Sequence, residues 1–82
     1  MAEKTNRVTV EIFGENYALK GNVEPEQVVQ LAAILDKRMK KIARSNPKLP
    51  PIKVAVLAAL HIVDEYLKLE EDYIALIDEM KK

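Results

Sequence analysis

Between Asp36 and Lys48 a single acid is followed by six basic residues, Lys37, Arg38, Lys40, Lys41, Arg44 and Lys48, giving a local charge of +5. The chemistry available to such a stretch is recognition of an acidic partner. Charge runs are usually just the solvated side of an amphipathic helix, but clustering of one sign goes beyond what solubility needs. From Asp64 to Lys82 the balance reverses, with seven acids (Asp64, Glu65, Glu70, Glu71, Asp72, Asp78, Glu79) against three lysines and a local charge of −4. Over the whole chain Lys+Arg and Asp+Glu are equal at 13 each, so there is no general pull toward nucleic acid or membrane.

Catalytic chemistry finds little support. His61 is the only histidine, and with Leu60 and Ile62 beside it a hydrogen-bonded core or interface position is expected, where protonation would tune assembly. Asp64 and Glu65 are adjacent and diverge on a helix, so they do not form a carboxylate pair for acid–base work. Gly14 and Gly21 are the only glycines, which excludes a glycine-rich phosphate loop, and the absence of cysteine excludes disulfides and thiolate metal sites. No enzyme activity, cofactor or metal is expected.

The elements that carry these residues follow from periodicity. Arg7 to Phe13 alternates, with Val8, Val10 and Ile12 on one face and Thr9 and Glu11 on the other. Gly14, Glu15 and Asn16 are expected to turn the chain, and Tyr17 to Lys20 alternates again, which predicts a β-hairpin. A lone two-stranded hairpin is barely stable in water, so it needs a helix or another chain's strand against it. Pro25, between Glu24 and Glu26, opens a first helix whose apolar face is Val28, Leu31, Ala32, Leu35, Met39 and Ile42. Lys37, Lys40, Lys41 and Arg44 fall on the opposite face, and Ser45, Asn46 and Pro47 end the helix.

Beyond Pro50 and Pro51, a second helix is expected from Ile52 to the carboxyl terminus, roughly 45 Å long at 1.5 Å per residue. Ile52, Ala55, Ala59, Ile62, Tyr66, Leu69, Tyr73, Leu76 and Met80 recur at alternating spacings of three and four, the pattern of a coiled-coil seam. Tyr66 and Tyr73 lie on it as packing residues rather than catalytic ones. Val56, Leu60 and Val63 widen the stripe, so Val54 to Val63 should be enclosed by the hairpin, the first helix and a partner. Leu67, Ile74 and Ile77 continue the extra width among charges, which favours a four-helix bundle over a two-stranded coil.

These expectations make an α+β chain. Residues 1–82 form one domain, with a head of hairpin and first helix at 7–46 and a coiled-coil helix at 52–82. Ile62, Tyr66, Leu69, Tyr73, Leu76 and Met80 serve oligomerisation, because a core this small needs a staple and none is covalent. The polar stretch Met1 to Asn6 is no export signal, and the apolar run Val54 to Leu60 is too short to cross a bilayer, so a cytoplasmic location is expected.

Three segments together resemble the ZapA family of bacterial cell-division proteins: Val10-Glu11-Ile12-Phe13-Gly14, Leu35-Asp36-Lys37-Arg38-Met39, and Ala58-Ala59-Leu60-His61-Ile62-Val63-Asp64-Glu65-Tyr66. Their order and spacing match that family over nearly the whole chain. The resemblance implies head-to-head dimers that use the hairpin, and two dimers joined antiparallel through the long helix. It also implies binding and bundling of filaments of FtsZ, the tubulin-like division GTPase, at the midcell septum. Lys37, Arg38, Lys41 and Arg44 match the charged positions of the head and are the candidate filament contacts. Glu15 and Ala18 depart from the family, where some members are basic, and His61 stands where asparagine is common.

Two other readings share this element order. A ribbon-helix-helix-like DNA-binding dimer would present Arg7, Thr9 and Glu11 to the major groove, with Glu11 facing phosphates, and its second helix would be twice the necessary length. A generic coiled-coil adaptor would use the seam for a different protein and be a monomer or a molten chain in isolation.

Overall fold

Alternation in the first twenty residues produces an antiparallel hairpin in the computed structural model, which describes residues 5–81. Lys82, the end of the expected second helix, and Met1 to Lys4 of the polar amino-terminal stretch lie outside the described residues. Strand β1 (Asn6–Ile12) and strand β2 (Glu15–Gly21) pair in register from Asn6 opposite Gly21 to Ile12 opposite Glu15. They are followed by helix α1 (Pro25–Ser45) and helix α2 (Pro51–Met80), which gives the expected α+β order.

The turn is tighter than the expected Gly14-Glu15-Asn16. Glu15 already pairs with Ile12, which leaves only Phe13 and Gly14 to reverse the chain. Both have positive φ, 54° and 81°, because a two-residue hairpin turn whose twist suits the strands needs left-handed backbone at both positions. Gly14 adopts this freely, whereas Phe13 does so against the preference of a bulky side chain. A contact from outside the hairpin supports it: the Phe13 backbone N–H donates to Oδ1 of Asp36 on α1 at 2.7 Å.

Asp36 thus ties the turn to the middle of α1, and its other oxygen meets Lys40 Nζ at 3.0 Å. The Phe13 hydrogen bond, followed by that from Lys40, holds the Asp36 carboxyl below its ordinary value of 3.8. At the other end of the hairpin, Asn6 Nδ2 donates to the Val23 carbonyl at 2.7 Å and fixes the approach to α1.

Pro25 stands in the first turn of α1 as expected, after the extended N-cap Glu24. At the other end Asn46 caps the helix, its backbone N–H reaching the Ala43 and Ile42 carbonyls and its side chain donating to Ile42 at 3.2 Å. The chain divides after Leu49 into two compact units. In the first, α1 packs on β1, and Val8, Val10, Val28 and Ala32 form a small buried core with Ile12 and Val23 at its margin. Met39 and Ile42 are buried as well, but Leu31 is exposed although it was expected on the apolar face. The buried stripe is narrower than that face.

Val8 and Leu19 are partners across the hairpin, as are Val10 and Tyr17, so all four point to one side of the sheet. The two valines are buried, whereas Tyr17 and Leu19 remain 48% and 44% exposed. The head therefore covers only half of its own apolar sheet face.

Two outcomes follow for the isolated hairpin–helix contact. Because folding lowers the Asp36 pKa, the unfolded chain binds more protons, so the stability this carboxylate contributes is complete above about pH 4 and is lost as pH falls below it. Thermal melts followed by circular dichroism should show that loss in the wild type and a smaller one in Asp36→Ala, whose midpoint at pH 7 is already lower. Gly14→Ala should cost about 1 kcal/mol in urea denaturation, from strain at its positive φ.

Candidate functional site: a basic helix face and an uncovered apolar helix

Of the four candidate contacts on α1, Lys37, Lys41 and Arg44 are exposed. Spacings of four and three place them in one row along the helix. Arg38 is half-buried and engaged in an interaction, and it lies about 100° from Lys37, so it stands apart from this row. Lys40 is held by Asp36. The structure thus brings together three of the four sequence-derived residues as a continuous cationic strip, with Arg38 to one side.

The second unit is α2, whose thirty residues begin one position earlier than expected, at Pro51. Only Val54 and Ala58 are buried in it. Every sequence-derived oligomerisation residue is exposed, from Ile62 at 36% to Met80 at 76%. Val56, Leu60 and Val63 are exposed too, so within the stretch Val54 to Val63 that was expected to be enclosed only Val54 and Ala58 are buried. His61 is likewise exposed rather than buried in a core.

On the helix the exposed apolar residues sort into two rows. The first is the seam, in which Ala55 is half-buried, and the second comprises Val56, Leu60, Val63, Leu67 and Ile74 with the half-buried Ile77, also at spacings of three and four once Glu70 is included. The rows lie about 100° apart around the helix axis. One row suffices for a two-stranded coil, while a helix in a four-helix bundle touches two neighbours at about a right angle. The opposite side of α2 is solvated and charged, marked by an Asp64–Lys68 ion pair at 3.0 Å in which Asp64 raises the Lys68 pKa.

Sequence reasoning missed two residues of this arrangement. Asp36 was legible only as the lone acid in a basic run, since nothing in the pattern indicates a long-range bond to the turn. Glu70 was grouped with the charged remainder of α2, yet it stands inside the apolar face, and Tyr66 Oη donates to its Oε2 at 3.3 Å. Completing the second row residue by residue would have found it. Among the described residues no cluster of His, Cys, Asp or Glu could hold a metal ion, and no helix is long and apolar enough to cross a membrane.

Comparison with known proteins places these features in a family. A family profile described as cell division protein ZapA matches residues 8–82. A cell division protein ZapA of Geobacillus sp. (strain WCH70) is 40% identical over 83 residues, spanning 100% of this chain and 95% of its own. That of Geobacillus kaustophilus is 41% identical over 76 residues, covering 93% and 84%, and that of Bacillus anthracis is 34% identical over 79, covering 96% and 89%. A solved ZapA mutant dimer from Geobacillus stearothermophilus superposes with a TM-score of 0.75 at 37% identity, over 99% of this chain and 94% of that one.

If copies associate through the exposed rows of α2, Leu69 gives a direct test. Leu69→Ala removes a side chain that association would bury, worth about 2 kcal/mol per copy. Sedimentation should show the variant dissociating at concentrations at least about thirtyfold higher than the wild type, with the head still folded. An unchanged mass would remove Leu69 from the interface.

Proposed function

Since the chain belongs to the ZapA family of cell division proteins, we propose that it binds filaments of the tubulin-like GTPase FtsZ and cross-links them at the division septum. The observation that carries this reading is the pairing of a single-sign strip on the head with a long helix whose apolar surface has no cover in its own chain. The strip supplies attachment and the helix supplies multiplicity. Attachment of one head to a protofilament raises the effective concentration of the others at neighbouring protofilaments, so weak single contacts suffice.

Lys37, Lys41 and Arg44 are the central contacts in this proposal, with Arg38 at their margin. They would meet an acidic surface of the filament, and steering by opposite charge accelerates encounter and weakens with salt. The assembly is a dimer of dimers, in which head-to-head pairs covering Tyr17 and Leu19 are joined antiparallel through α2. The protein would act in the cytoplasm at midcell, in a scaffolding rather than a catalytic role. Family membership sets aside the ribbon-helix-helix reading, and Glu11 on the exposed face of β1 already opposed it.

Co-sedimentation with the assembled GTPase tests the proposal. The wild type should enter the pellet only with filaments and raise light scattering, and both effects should weaken with salt. A Lys41→Glu/Arg44→Glu variant should lose at least about tenfold in filament affinity while keeping its oligomeric mass, because two attractive contacts become repulsive. A folded, associated protein that never pellets would overturn the proposed partner.

A further inference from the structure

The direction midway between the two apolar rows of α2 passes between Tyr66 and Glu70. These residues are one helical turn apart and joined by the hydrogen bond from the Tyr66 hydroxyl to the Glu70 carboxylate. Val63 and Ile77, one heptad to either side of Glu70, share its position on the helix, so a carboxylate interrupts a column that is otherwise apolar. Solubility does not require it there, since the opposite face already carries Asp64, Glu65, Glu71, Asp72, Asp78 and Glu79.

We propose that Glu70 is the alignment-specifying residue of the α2–α2 interface: a single carboxylate at the centre of the apolar face that permits one register between copies and rejects the others. The inference rests on the self-association proposed above, and its occupant is a second copy of this chain. A repeating apolar row packs almost equally well when one helix slides by a heptad against another, because leucine, isoleucine and valine present similar surfaces. A carboxylate removes that degeneracy. The bond from the Tyr66 hydroxyl lies within one helix and is kept in any register. In the correct register water or a symmetry-related polar group satisfies the rest of the carboxylate, and in a shifted register that remainder is buried against Leu67, Ile74 or their equivalents without compensation. A lone polar group at an interface fixes register in this way at the expense of affinity.

The test uses the full chain, which contains no cysteine, so Ala75→Cys on the solvated side of α2 takes a single spin label. Dissociation is measured by sedimentation, and alignment by dipolar distances between labels. The wild-type background should give one narrow set of distances. Glu70→Leu should associate at least about tenfold more tightly and broaden or multiply the distances. Glu70→Gln, which keeps the shape and the need for hydrogen bonds, should tighten association less and keep the distances narrow.

Unchanged affinity and distances in Glu70→Leu would place Glu70 in solvent and overturn the proposal. Tighter association with a single unchanged distance would overturn the alignment role. A wild-type chain that stays monomeric would instead overturn self-association itself, and the role of Glu70 with it. Should Glu70→Leu aggregate, Glu70→Gln decides, since an affinity equal to that of the wild type would mean that the carboxylate is not enclosed.

Discussion

A helix cannot bury an apolar surface that covers half of its circumference against itself. From Ile52 to Met80, α2 exposes a dozen large apolar side chains in two rows. Enclosing them would release roughly 10 kcal/mol or more per helix before costs, if each gains about 1 kcal/mol from burying its exposed part. Association itself costs about 4–15 kcal/mol in lost freedom and ordering. Closing only one row would leave about half of the gain in water, so the energetics favour an arrangement that closes both.

The head is constrained in the same way on a smaller scale. Its core consists of four buried side chains from β1 and α1, and β2 contributes Tyr17 and Leu19 to the same sheet face without cover. Specific bonds compensate for the thin packing. Asp36 links α1 to the strained Phe13-Gly14 turn, Asn6 links β1 to the Val23 carbonyl, and Asn46 closes α1. The basic strip is displayed on this supported helix. Its charges need no partner within the head, and that leaves them available to an acidic one.

Much of this was legible in the sequence because period and composition report local geometry directly. Alternation located both strands, Pro25 and Asn46 marked the ends of α1, and the three-four spacing located helix α2. What escaped depends on contacts between distant residues or on counting across charges. The two-residue turn was invisible because Phe13 is a poor candidate for positive φ, and the bond that supports it there comes from Asp36, twenty-three positions away. Leu31 fits the helical period of a core face but lies outside the stripe that β1 covers. Glu70 was hidden by its own charge, and Arg38 belongs to the basic run in sequence but not to the row in space.

Both the enclosure of the apolar rows and the multiplicity of heads depend on whether α2 is folded and closed by other copies of the chain. The most direct measurement is the thermal unfolding midpoint of the wild type over at least a hundredfold range of protein concentration. If association and folding are coupled through α2, the midpoint rises steadily with concentration, by mass action. A sharp, reversible transition at the same temperature throughout that range would contradict it, because the exposed rows of α2 would then have no partner in solution.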